Sequence, residues 1–150
     1  MATFIQKLAT RLRLGQLPEA VRTQLESESR LLYLAEGIME TAIFRGYRAP
    51  GAYILQRRIV FIGYFALSEH WLVAKAKAYH ETNVNVAYDD PRFKAITFTI
   101  RPRYLALTFD ASAQSPQASG QLEVRLHLPD IMTAARILEQ AGAQIVSNSL

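Results

Sequence analysis

From Leu31 onward the chain keeps returning to one pattern, an apolar side chain at every second position with polar or small neighbours between. It is clearest in Val84, Val86 and Tyr88, in Ile96, Phe98 and Ile100, in Leu105, Leu107 and Phe109, and in Leu122, Val124, Leu126 and Leu128. A period of two puts successive side chains on opposite faces of a strand, so each run buries one face and wets the other. Gly, Pro, Asn and Asp interrupt the runs at short intervals, as loops between antiparallel neighbours do. The reading is seven strands, at about 31–46, 53–67, 70–79, 83–88, 93–100, 103–110 and 120–128.

The period changes at both ends of this series. After Leu128 comes "PDIMTAARILEQAG", with Pro129 in the first turn, Asp130 placed to complement the helix dipole, and Gly142 at the end. Ile131, Ala134, Ala135 and Leu138 form one stripe, which predicts an amphipathic helix packed on the sheet. Ahead of Leu31, Phe4, Ile5, Leu8 and Leu12 recur at helical spacing before Gly15, and a second helix starts near Pro18 and Glu19 and runs through Val21 and Leu25 to "ESESR". The expected organisation is a helical N-terminal extension over 1–29, a barrel over 30–142 and a C-terminal tail over 143–150.

The fold class is therefore mainly β (α+β): seven antiparallel strands forming a strongly bent sheet or partly open barrel, capped by a C-terminal helix. This element order, over about residues 30–142, resembles the pleckstrin-homology (PH) and GRAM superfamily. "ALSEHWLVAKA" at residues 66–76 is similar to the "ALTxxRL" turn and strand of bacterial PH-like domains. In lipid-binding PH domains, cations on the first two strands receive an anionic headgroup, so the resemblance implies Arg45, Arg48, Arg57 and Arg58 as anion-binding candidates around the first hairpin. Arg57 and Arg58 are adjacent on a strand and face opposite ways, which favours a solvated strand face over a single shared ligand.

The most chemically suggestive residues are two His-Glu pairs, Glu69-His70 and His80-Glu81. A strand between them rises about 3.3 Å per residue, which separates the pairs by roughly 30 Å, too far for one ion. Both pairs are expected at hairpin turns, and His127 on the solvent face of the last strand. "GYRAPGA" at 46–52 lacks the glycine order of a phosphate-cradling loop, and "YDDPR" at 88–92 reads as a turn. "ASAQSPQASGQ" at 111–121 has serines but no nucleophile elbow. No catalytic residue, metal ligand or cofactor is expected.

The chain's 150 residues suit one domain, and a content of 50% apolar and 10% aromatic residues is that of a globular protein. There is no cysteine, which fits a reducing compartment. The N-terminus has no apolar core of signal-peptide length, and the longest apolar run, Ile59–Leu67, is about half a bilayer span. A cytoplasmic protein, at most peripheral to the inner face of the membrane, is expected. A net charge of +4 favours anionic partners, although no basic stripe with stacking aromatics points to nucleic acid. Residues 1–14 carry Lys7, Arg11 and Arg13 and no acid, so this stripe has three open readings: it packs on the barrel, docks into a partner or another copy, or lies on an anionic membrane. The expected function is a non-catalytic binding or scaffolding module with a protein partner or self-association. A peripheral, anionic-lipid-binding protein is the alternative, and an enzyme of unidentified class comes third.

Overall fold

The computed structural model describes residues 15–78, 81–113 and 115–147, with side chains described outside 76–83. The chain begins with helix α1 (Glu19–Glu28), followed by strands β1 (Leu31–Ala49), β2 (Ala52–Ser68), β3 (Trp71–Ala78) and β4 (Glu81–Ala87). A short helix α2 (Pro91–Lys94) leads to β5 (Thr97–Ile100), β6 (Leu105–Asp110), β7 (Ser119–Leu126), helix α3 (Ile131–Gln140) and β8 (Gln144–Ser147). The strands form one sheet in the order β4-β3-β2-β1-β7-β6-β5-β8, which curls into an open half-barrel. Neighbours are antiparallel except β5 and β8, which run parallel.

Two expectations from the sequence need correcting. The sheet has eight described strands, not seven, because residues 144–147 of the supposed tail form β8. The chain turns back at Gly142 and lays Gln144–Ser147 against Thr97–Ile100 in register. A run this short, with only Ile145 and Val146 apolar, carries no period to read. The segment 93–100 is also not all strand. Asp90 accepts from the Arg92 N–H at 2.8 Å and Pro91 opens the turn, so Pro91–Lys94 is helical and only Thr97–Ile100 pairs. This turn buries Phe93 completely, and its apolar character is what mimicked a strand position.

The inner face of the half-barrel is a single apolar core. Ile38, Ala42 and Phe44 of β1, Leu122, Val124 and Leu126 of β7, and Phe65, Leu72 and Phe98 all contribute to it. Helix α3 adds Ala134 and Leu138, so the apolar stripe does pack on the sheet. Asp130 accepts from the Thr133 N–H and hydroxyl at the start of that helix, satisfying donors that a bare helix end leaves orphaned.

The outer face carries a second, smaller cluster. Leu17 and Leu25 pack on Tyr64, Ala66 and Val73, the alternate residues of β2 and β3, with Val21, Leu34 and Trp71 partly buried around them. The entry is pinned by two hydrogen bonds, Gly37 N–H to the Gly15 carbonyl at 3.0 Å and Leu17 N–H to the Glu36 carboxylate at 2.7 Å. The first uses the extra residue, Gly37, at which the β1–β2 register shifts, and the second uses its neighbour Glu36. The second expected helix is thus found as α1, while the first, with Phe4, Ile5, Leu8 and Leu12, lies outside the described residues.

Candidate functional site

The first hairpin outgrows the sheet around it. β1 and β2 stay in continuous register from Ile38/Gly63 to Ala49/Ala52, closed by Pro50 and by Gly51 at φ 78. Proline presets the first turn position and glycine supplies the left-handed second one, which is why a long, tight hairpin can form from "APGA". On the other side of β2, however, β3 pairs only from Phe65 to Leu67. Lys75 of β3, just past the last paired residue, then donates its Nζ to the Ile62 carbonyl at 3.1 Å. Among the described residues, no strand covers the outer edge of Ala52–Phe61.

The four candidate arginines lie on this arm, with different surroundings. Arg45 sits opposite Gln56 and reaches the Glu123 carboxylate on β7 at 3.2 Å. Arg125 holds the other oxygen at 2.5 Å. Burial pushes the Glu123 carboxyl up, but the hydrogen bonds from Arg125 and Arg45 outweigh it and hold the group below its ordinary range. Arg48 lies opposite Tyr53 with its guanidinium 5.0 Å from the ring centroid, a cation–π pair. Arg57 and Arg58 oppose Phe44 and Ile43, are exposed, and form no ion pair among the described residues. Beside them stand Tyr53, Leu55 and Val60, exposed at 59%, 72% and 59%.

The His-Glu pairs occupy different places. Glu69 and His70 form the β2–β3 turn, where the Ser68 hydroxyl accepts from the His70 and Trp71 N–H groups and the Glu69 carboxylate accepts from the Arg30 N–H. Glu81 opens β4 at the far end of β3, and His80 lies outside the described residues. No three His, Asp or Glu side chains gather among the described residues. Asp90 is the cap of α2 and is paired with the Arg92 guanidinium at 2.8 Å, which holds its carboxyl low. His127 lies past the end of β7, half-buried, its ring 5.7 Å from that of Tyr104.

One group escaped the sequence reading. Glu40 has no solvent exposure and sits on the inner face between Ile38 and Ala42, opposite Leu126. No described group hydrogen-bonds either carboxyl oxygen. Burial pushes the carboxyl up to about 9, with the Lys75 charge pulling the other way. Gly63 makes the room, since a Cβ there would overlap the Glu40 carboxyl. The signal was present in the sequence, because Glu40 is in phase with Ile38, Ala42 and Phe44 on a strand whose alternate residues are apolar.

A cavity of about 10 Å³ beside Ala74, Ile96, Leu107 and Leu126 has room for about one water. No helix among the described residues is long and apolar enough to cross a membrane. No family model, curated protein or solved structure matches the chain.

Proposed function

We propose that the chain is a PH-like, GRAM-like binding or scaffolding module without catalysis, and that it receives a protein partner on the β1–β2 arm. The order of antiparallel neighbours and the closing helix support the PH-like reading. The observation that carries the proposal is the arm itself, where Arg57 and Arg58, without an ion pair among the described residues, stand beside exposed Tyr53, Leu55 and Val60. A mixed apolar and cationic surface gains from desolvating the first group and from charge complementarity at the second. Arg45 is paired with Glu123 and Arg48 is held over the Tyr53 ring, whereas Arg57 and Arg58 have no ion pair among the described residues and present their charge to an anionic surface.

A second reading is favoured by one further observation. The basic, amphipathic sequence of residues 1–14 together with the same arm would suit an anionic membrane surface. The Arg57→Glu/Arg58→Glu variant separates the two. The expected result is a partner captured from the protein's own cells by the native chain and lost by the variant, with neither protein sedimenting with vesicles that contain phosphatidylserine. Sedimentation of the native chain alone would establish the membrane reading instead, and capture unaffected by the variant would move the binding surface off the arm.

A further inference from the structure

We infer that the outer edge of β2 over Ala52–Phe61, which no strand covers among the described residues, takes up an extended acidic segment of a partner protein as an added β-strand. The inference rests on the proposal that the arm binds a protein, and it specifies how. A strand edge presents a row of unpaired N–H and C=O groups that match those of any extended chain. Here the edge is ten residues long, with alternate residues turned outward; it begins at the hairpin turn and ends beside the Ile62 carbonyl, which accepts from the Lys75 ammonium.

Arg57 and Arg58 define the chemistry of the guest. They point to opposite faces of β2, so they cannot close on one small anion. An added strand has the same alternation, and two consecutive acidic residues on it would send one carboxylate to each face, one toward each arginine. The flanking exposed side chains of Leu55 and Val60 then meet apolar residues of the guest. Charged residues on an edge strand also serve to repel pairing. That role does not account for a ten-residue edge that keeps Tyr53, Leu55 and Val60 exposed beside its charges.

The same charges disfavour the other occupants. A second copy pairing edge to edge about a two-fold axis would centre near residues 56 and 57 and bring two Arg57-Arg58 pairs together. The chain's own residues 1–14 carry Lys7, Arg11 and Arg13 with no acid. A partner segment with paired Asp or Glu is the complement.

The test uses the full chain and a synthetic ten-residue peptide of alternating Thr and Val around a central Glu-Glu pair. Controls replace Glu-Glu by Lys-Lys or methylate alternate backbone nitrogens. The peptide is expected to bind, and the Arg57→Glu/Arg58→Glu variant, the Lys-Lys peptide and the methylated peptide should each weaken binding by about tenfold or more. In the free protein, alternate amides of residues 52–61 should exchange rapidly with solvent, and peptide should slow them by about tenfold or more. Equal binding of the methylated peptide without amide protection would overturn strand addition while leaving the arm as the binding surface. Protection of all these amides in the free protein would overturn it too: if it persists on dilution, the occupant is the chain's own segment, and if it fades, a second copy. Failure of every peptide while partner capture still depends on Arg57 and Arg58 would defeat the strand-addition inference alone, whereas loss of that dependence would defeat the binding proposal with it.

Discussion

Glu40 is the residue at which this fold departs from what an apolar core should contain. A carboxylate placed in such a core without hydrogen bonds is strongly unfavourable, so the group keeps its proton. Between the ordinary carboxyl value and about 9, the folded chain holds a proton that the unfolded chain has released. Stability then falls as pH rises across that interval, by about 1.4 kcal/mol per unit from this one group. Glu40→Gln keeps the shape and removes the titration. Denaturant unfolding at several values between pH 5 and 8 should give a falling curve for the native chain and a much flatter one for Glu40→Gln, with the variant relatively more stable at the alkaline end. Parallel curves would mean that Glu40 ionises in the fold without penalty. The position was readable in outline, because it is in phase with Ile38 and Ala42, but the space left by Gly63 depends on the β1–β2 register, which alternation alone does not determine.

At the scale of elements, the long strands and the closing helix were legible because each repeats its period several times. Leu122, Val124 and Leu126 alternate, and all three are buried. Ala134, Ala135 and Leu138 share one side of α3 and are buried as well. Legibility failed where elements are short: in α2, Phe93 faces the core from a single helical turn, and β8 is recruited by the edge of β5. Those two depend on where neighbouring backbone happens to lie, which is information about pairing and is not local to the segment. The arm is an intermediate case. Its arginines were visible in the sequence, but the limit of β3 pairing to Phe65–Leu67, beyond which no described strand covers β2, was not. The packing of α3 has a direct consequence. Leu138 has no exposed surface, so Leu138→Ala should lower stability by about 2–5 kcal/mol through lost burial and the cavity left behind. Chemical denaturation should show the loss as a lower midpoint with an unchanged slope. A midpoint like that of the native chain would mean that α3 contributes nothing to the barrel's stability.

Over the whole molecule, the half-barrel has two sides to cover, and the chain uses a different helix for each. α3 closes the inner face, while α1 and Leu17 just before it lie on the outer face of β1–β3. The sequence suggests a helical extension over 1–29, and "EAVRTQLESE", mostly polar and ten residues long, would be marginal in water as an isolated helix. Its order must come from packing. Leu17 and Leu25 are almost fully buried against Tyr64, Ala66 and Val73, and burying an aliphatic side chain of this size stabilises by about 1.5–3 kcal/mol. With Val21 partly buried beside them, the segment should contribute roughly 4–6 kcal/mol, a large part of the 5–15 kcal/mol that a domain commonly has. Deleting residues 1–29 is therefore expected to lower the melting temperature by about 10 °C or more, at roughly 2–4 °C per kcal/mol for a chain of this length, and to leave an apolar outer face that promotes association. Leu25→Asp should give much of the same loss with residues 1–14 intact, which assigns the effect to α1 and not to the segment before Gly15. A truncated chain that melts with the native one and stays monomeric would show that the outer face stands without its helix, and the first 29 residues would then be a separable appendage, free to serve a partner.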